Sequence, residues 1–391
     1  MPTIFIETVI LAVHGRTGAF LFLDDRTSQA SFWAYGTGTE LSKCRSNMGK
    51  KKAASKKTIA RLDKELLALI NERAKRLQRS NQPRSPMTST TIESLTAANK
   101  GPLLPEHVAA IFGEIHSACH SLTNNTRVAF LGPMYSYSYL AAVERFGSSA
   151  ELVAVGTIQA VFEEVDRDQS QFGIVPLENS TDGRVVDTLG MFARLPMQIC
   201  GEVKLEIHHQ LLAKCNREQI REVYSKPQAL SQCRQWLAKH VPNARPVEMA
   251  STTAAAKLAG ERNDAAAIAS RQAGIQYGLQ VVAGNIEDNP NNVTRFAVIG
   301  RQPAARSGTD KTALMFEIPH QPGSLSGAMN GFQSLNLTWI ESFPMPGSKN
   351  EYLFFVEFEG HADDAKVKRA LTALRKKTVQ LTVLGSFPAA E

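Results

Sequence analysis

The sequence predicts a multidomain chain: a small all-α segment, then an α/β body of two similar blocks, then a compact α+β unit. Three observations predict it. At 391 residues the chain is too long to fold around one core. Its hydrophobic pattern opens with helical periodicity, passes into short apolar runs alternating with amphipathic helices, and closes on strand, helix, strand, strand, helix, strand. Its composition, 43% hydrophobic and 21% charged, is that of a globular protein rather than a disordered one.

The net charge of +7 is local in origin. Eight basic residues, from Lys43 to Arg61, stand between Ser42 and Leu62 with no acid among them, and the remainder is close to neutral. That is a solvated arm, and nucleic acid is not an expected partner. The five cysteines, Cys44, Cys119, Cys200, Cys215 and Cys233, are odd in number and show no CxxC spacing, which predicts free thiols in the cytoplasm. No apolar run is long enough to span a membrane. Glu7, His14 and Arg16 interrupt the apolar start, so it does not read as a signal peptide. Residues 1–47 are expected to be a loosely ordered extension or to precede the true start at Met48.

From Lys56 to Arg79, Ile59, Leu62, Leu66, Leu69 and Ile70 recur at spacings of three and four, which predicts an amphipathic helix stopped by Pro83 and Pro86. After Pro105, a second helix is marked by Val108, Ile111, Phe112, Ile115, Cys119 and Leu122. With only a weak segment between them, Thr88 to Asn99, these helices need the main body or a second copy to cover them. His116, Cys119 and His120 share one helix face, but no fourth ligand is in view and no metal is expected.

From Thr126 strands and helices alternate. RVAFLG leads into a helix that starts near Ser136, ELVAVG into a helix from Ile158, and FGIVPLEN into the polar cluster Glu178 to Gly183. ICGEVKLEIHHQLLAK reads as one long extended segment, on which the neighbours His208 and His209 face opposite sides, so at most one faces a site. In the second block Ser225, Gln228, Ser251 and Thr252 stand at or near helix starts, where they either cap the helix or converge on a carboxylate. Without a Gly-rich nucleotide motif, the pattern favours a small acidic ligand between the blocks. In NIEDNPNNVTRFAVIG, a turn from Asp288 to Asn292 feeds a strand that opens on Thr294 and Arg295, a hydroxyl and a guanidinium at a rigid strand end.

Seven pieces, FLGPMYSYSYLAA, GIVPLENSTDG, LEIHHQLL, YSKPQALSQC, STTAAA, AAIASRQAGIQYGL and NNVTRFAVIG, follow in order between Arg127 and Gly300. Together they resemble the prephenate dehydratase family. The resemblance implies a two-lobed α/β domain over 126–302, like bacterial solute-binding proteins, with the VTRF threonine in the cleft. It implies conversion of prephenate to phenylpyruvate with loss of water and carbon dioxide, in phenylalanine biosynthesis and without a cofactor. Thr294 would then donate or relay a hydrogen bond to the departing hydroxyl, with Glu178 or His209 in the proton network. Ser136, Asn179, Ser180, Thr181, Gln228, Ser251 and Thr252 would bind carboxylates and keto oxygen, with Phe296 packed nearby. Arg295 would pair with the substrate or with an acid such as Glu178 or Asp288. Tyr135 departs from a usual glycine and Lys226 from a common histidine.

The closing unit, over 310–388, has the βαββαβ order of a ferredoxin-like fold, and resembles a phenylalanine-sensing ACT domain. Gly323, Ser324, Leu325, Glu341 and Ser342 match its effector motifs, with Phe343 in place of arginine. That resemblance implies feedback inhibition by phenylalanine and a homodimer or larger homo-oligomer. The helical segment, 48–125, resembles a chorismate mutase domain. Lys56, Arg73 and Arg84 fall at or near its cationic positions, whereas Met87, Thr88, Cys119 and Thr123 replace expected polar groups, so weak mutase activity or none is expected. The alternatives are a bifunctional enzyme with mutase activity, an arogenate dehydratase, and a small-molecule sensor on the same fold.

Overall fold

The computed structural model describes residues 41–79, 89–122, 126–344 and 352–390. The chain divides into two compact units, Met1–Ala68 and Leu69–Glu391. The first is described only by the start of helix α1 (Leu41–Arg79), which begins earlier than predicted because alanines and lysines are strong helix formers. Of the loosely ordered extension expected over 1–47, residues 1–40 lie outside the described residues, and 41–47 belong to helix α1 instead. On α1 the predicted apolar residues Ile59, Leu62, Leu66 and Leu69 are all exposed. Helices α2 (Ser89–Ala98) and α3 (Pro105–Ser121) follow, the latter opening on a proline at its first turn. On α3 Val108 and Cys119 are buried while Ile111 and Phe112 stay exposed, so only part of the predicted stripe is covered.

Three sheets make up the rest. The first takes β1 (Arg127–Leu131), β2 (Glu151–Val155), β3 (Phe172–Asn179), the short β4 (Gly183–Arg184), β5 (Gln198–Glu206) and, much later, β11 (Val293–Gly300). Helices α4 (Tyr137–Phe146), α5 (Ile158–Asp166) and α6 (Val186–Phe192) connect its strands. The second sheet takes β6 (Gln210–Ala213), β7 (Glu222–Ser225), β8 (Arg245–Glu248), β9 (Ala265–Ala269) and β10 (Gln280–Ala283). Its helices are α7 (Pro227–Gln232), α8 (Arg234–His240), α9 (Thr252–Gly260) and α10 (Arg271–Gln276). The predicted single extended segment is therefore broken. It leaves the first sheet at Glu206 and enters the second at Gln210, and His208 and His209 lie in that crossover rather than on a strand.

β11 returns from the second sheet to run antiparallel between β3 and the edge strand β5. Its last five residues are buried, as a strand covered on both faces must be.

The third sheet has the order β13 (Leu337–Pro344), β14 (Tyr352–Glu359), β12 (Asp310–Glu317), β15 (Gln380–Pro388), all antiparallel, with helices α11 (Ser324–Met329) and α12 (Ala365–Arg375). The first helix of this unit stops at Met329 and continues as a 3-10 turn, Asn330–Phe332, where Asn330 and Gly331 weaken the α form. One face of this sheet, with Leu314, Phe316, Val356 and Phe358, packs under its own helices. The other face, with Ala313, Met315, Leu353 and Phe355, shares a core with Leu177, Ile199 and Ala297 of the first sheet. Phe343, the departure from arginine, is buried in that shared core. Among the described residues no helix is long and apolar enough to cross a membrane.

At Gly385 of β15 the two sheets touch backbone to backbone: a Cβ there would stand 2.3 Å from the Ile199 carbonyl oxygen, and its φ of +149° is one that side chains rarely adopt. Neither strand can yield without losing its ladder bonds. Gly385→Ala is expected to destabilise the protein by about 3 kcal/mol, read as a lowered denaturant midpoint against Gly183→Ala. The control also has positive φ, but its Cβ would meet no atom within 4 Å.

Candidate active site

A cleft of about 570 Å³ opens between elements of the first and second sheets, within the range that holds a small ligand. Its walls follow from how the blocks are built. Strand-to-helix turns on both sides aim helix starts at the same space. Ser136 opens α4, Thr157 opens α5 and Ser251 opens α9, and all three line the cleft. Their hydroxyls accept from the amides of Tyr139 at 3.3 Å, Ala160 at 3.1 Å and Ala254 at 3.0 Å. The side chains of Ser136 and Ser251 are thus caps. What the turns offer a ligand is their first backbone N–H groups and positive dipole ends.

The floor comes from β11 and β3. Side chains alternate along a strand, so Thr294 and Phe296 face the cleft and Arg295 faces away. On β3 the register with β11 shifts, Arg295 pairing with Glu178 but Phe296 with Pro176. This bulge at Leu177 turns both Pro176 and Asn179 to the cleft and leaves Glu178 on the far side.

Asn179 fixes the hydroxyl of Thr294. Its Oδ1 accepts from the amides of Thr181 at 2.9 Å and Asp182 at 3.0 Å, which settles the amide's orientation. Its Nδ2 then donates to Thr294 Oγ1 at 2.8 Å and Asn292 Oδ1 at 2.9 Å. Thr294 accepts from Asn179, so its own hydrogen remains available for donation in the cleft that it lines. The chain of bonds continues from Asn292 Nδ2 to Gln232 Oε1 at 3.2 Å, on to His209 Nε2 at 2.9 Å, and from His209 Nδ1 to the Tyr137 hydroxyl at 3.0 Å. Gln232 Nε2 donates to Asp182 at 2.9 Å, so its Oε1 accepts and His209 carries its proton on Nε2. The middle of this chain is carboxamides, which hold groups in place but do not pass protons on.

The structure separates the residues that the sequence suggested. Thr294, His209, Ser136, Asn179, Gln228, Ser251, Thr252 and Phe296 line the cleft. Ser180 and Thr181 do not: the Ser180 hydroxyl bonds the backbone at Asn291 and Val293, and Thr181 reaches Asn292, so they build the turn that presents Asn179. Glu178 and Arg295 are turned to the other side of the sheet. There Arg295 binds Glu178 at 3.1 Å, Glu202 at 2.9 Å and Glu357 at 2.7 Å, with Trp339 beside it at 5.5 Å. Of the two roles open to Arg295, the structure shows pairing with acids. Tyr135, at a φ of +65°, packs its ring with the cluster around Tyr224 and Leu212, away from the cleft.

A separate hollow of about 290 Å³ is lined by Gly323, Ser324 and Leu325 with Tyr352 and Phe354. Glu341 and Ser342 do not line it: Glu341 is ion-paired with Arg184, and Ser342 is exposed. Arg73 meets His116 at 3.3 Å on α3. Arg84, Met87, Thr88 and Thr123 lie outside the described residues, as does the side chain of Lys56. The sequence reading gave no site role to Tyr137, Thr157, Gln232 and Asn292, nor to Asp182 and Lys226, which it noted only as part of a polar cluster and as a departure from the family pattern; all are in or bonded to the cleft. Thr157 had a visible signal, a threonine between a strand and a helix. Asn292 read only as a turn residue.

Residues 128–304 match the prephenate dehydratase family. The bifunctional chorismate mutase/prephenate dehydratase of Aquifex aeolicus is 40% identical over 351 residues, covering 86% of this chain and 97% of that protein. Among solved structures, prephenate dehydratase from Arthrobacter aurescens in complex with L-Phe is similar, with a TM-score of 0.63 and 31% identity over 68% of this chain and 90% of that one. So is GqqA, described as a novel type of quorum quenching acylase, with a TM-score of 0.61 and 29% identity over 68% of this chain and 98% of that one.

The two neighbouring histidines have opposite titration behaviour. Burial holds His209 below the ordinary imidazole value of 6.5, whereas the bond to Glu287 raises His208 above it. The neutral ring of His209 stabilises the fold above pH 6.5, and that contribution is lost as pH falls through its depressed pKa. The contribution of His208 is full below pH 6.5 and is lost as pH rises through its raised pKa. NMR titration of the two rings is expected to give midpoints on opposite sides of 6.5; a single shared midpoint would contradict the assignment.

Proposed function

The chain belongs to the prephenate dehydratase family, and on that premise we propose how its cleft takes water and carbon dioxide from prephenate to leave phenylpyruvate. The ring carboxylate leaves as carbon dioxide, its bonding electrons enter the ring, and the hydroxyl across the ring leaves with a proton as water. Aromatisation drives the change, so the protein has to stabilise the departing oxygen and hold the two carboxylates. Thr294 donates its free hydrogen to that oxygen. The observation that carries this is the Asn179 to Thr294 bond at 2.8 Å, in which the hydroxyl oxygen accepts, so that its hydrogen stays available to a ligand in the cleft. A threonine is too weak an acid to be the proton's source: it steadies the departing oxygen, and the proton is taken up from the solution, so that the prephenate dianion and one proton give the phenylpyruvate monoanion, carbon dioxide and water.

Gln228, Thr252 and the first turns of α4, α5 and α9 bind the carboxylates and keto oxygen, with Phe296 against the ring. His209, neutral and bonded on both nitrogens, acts as an anchor for Gln232 and Tyr137 rather than as an acid. Glu178 has no part in the chemistry in this reading, because it lies across the sheet. The first and second sheets are the two lobes of a solute-binding-protein-like domain over 126–302.

The third sheet, over 310–388, is read as an ACT domain whose hollow at Gly323, Ser324 and Leu325 takes phenylalanine as feedback inhibitor. Support comes from the L-Phe bound to the Arthrobacter relative. β13 is an edge strand, and Ile340 and Tyr352 are exposed beside it, which suits pairing with a second copy in a homodimer. The helical segment, 48–125, is read as a chorismate-mutase-like remnant, supported by the engagement of Arg73 with His116. The name of the Aquifex relative favours the second reading, an active mutase.

Purified protein without added cofactor is expected to form phenylpyruvate from prephenate and little or no prephenate from chorismate, each assayed alone. Rapid product from chorismate would replace the remnant reading with the bifunctional one. Thr294→Ala is expected to lower kcat by about a hundredfold or more with an unchanged melting temperature, and Thr294→Ser to keep most of it. Near-normal turnover by the alanine variant would rule Thr294 out as the donor to the departing oxygen.

A further inference from the structure

The substrate of the proposed reaction is a dianion, so the cleft has to supply positive charge. Arg295, the guanidinium next in sequence to Thr294, cannot do so, because three carboxylates hold it on the far side of the sheet. Among the described residues, Lys226 is the only lysine or arginine that lines the cleft. Its side chain is exposed, and no acid among the described residues pairs with it. The other groups facing the space are neutral hydroxyls and amides, His209, and the carboxylates of Asp182 and Asp187. Asp182 is occupied by the amides of Gln228 at 3.2 Å and Gln232 at 2.9 Å.

Both acids belong to the segment that follows β3. Asp187 lies on α6, whereas the Asp182 carboxylate reaches across to α7, where the amides of Gln228 and Gln232 hold it. Lys226 stands on the second sheet's side, between β7 and α7 and near the start of α9 at Ser251 and Thr252, which also line the cleft. A substrate with its ring hydroxyl at Thr294 would extend its three-carbon side chain toward the second sheet. There an α-keto carboxylate meets an ammonium and free helix-start N–H groups. The corresponding α-amino acid would bring its own ammonium to the same place and be repelled.

We propose that Lys226 is the specificity-determining cation of this cleft: it binds the side-chain carboxylate and makes the enzyme select the keto acid, prephenate, over the amino acid, arogenate. This rests on the dehydratase reading and adds the choice between two substrates that differ at one carbon.

The test is steady-state kinetics of wild type, Lys226→Met, Lys226→Arg and Lys226→His on both substrates. For Lys226→Met, KM for prephenate is expected to rise about tenfold while kcat changes less than about threefold, because the ammonium binds ground and transition states alike. KM for arogenate should fall or stay constant, so the prephenate preference drops by about tenfold or more. Lys226→Arg should retain the preference, and Lys226→His should recover it as pH falls below about 6.5. A KM change of equal size on both substrates, or none on either, overturns the proposal while leaving the dehydratase reading intact. A wild type that turns over neither substrate removes the dehydratase reading, and this proposal with it. A wild type that prefers arogenate would show that Asp187, not Lys226, sets the charge of the pocket.

Discussion

The site depends on the register of a single strand, and that register is held from below by Arg295. Three carboxylates, from β3, β5 and β14, converge on its guanidinium, and Lys311 of β12 shares Glu202 at 2.9 Å. Burial works against a charged arginine here, but Glu357 and Glu202 outweigh it and hold its pKa well above the usual value. Burial also pushes Glu357 upward despite Arg295. A strand that slipped by one residue would present Arg295 to the cleft and bury Thr294 among the acids. The ion cluster makes that slip costly, since it would leave several buried carboxylates without a partner. Thr294 and Phe296 face the cleft because Arg295 is held on the other side.

The same cluster ties the chemistry to the third sheet. Glu357 belongs to β14, and Glu341 of β13 reaches Arg184 on the short strand that closes the turn after Asn179. The donor pair Asn179 and Thr294 is thus attached on each side, through a neighbouring arginine, to the sheet that carries the second hollow. The shared core of Leu177, Ile199, Phe343 and Phe355 makes the attachment broad as well as polar.

Much of this was legible in the sequence. Seven motifs placed Thr294, Asn179, Ser251 and Thr252 in one site, and the order of strands and helices predicted the third sheet. Three kinds of information were missing. The bulge at Leu177 is invisible to alternation, so Glu178 was grouped with the cleft although it lies across the sheet. Partners distant in sequence are also unreadable: nothing near Arg295 announces Glu202 or Glu357. Finally, the hydroxyls of Ser136, Ser180 and Ser251 look alike as sequence, and only the fold shows which are consumed as caps or turn bonds. The amides of Asn292 and Gln232 failed for the opposite reason, since each looks like an ordinary loop or helix residue until the other is placed beside it.

The position of β11 in the chain has a bearing on how the protein is made. This strand is the middle partner of β3 and β5, yet the whole second sheet is encoded between them and it. On the ribosome β3 and β5 emerge first and cannot pair with each other across the gap. Each carries an open, largely apolar edge until residue 300 and its neighbours leave the exit tunnel. Such edges are templates for pairing with other chains. Expression at low temperature or with chaperones in excess will therefore matter more for this chain than for one whose sheet grows from neighbour to neighbour, and truncations before Val293 will yield an incomplete sheet rather than a smaller domain.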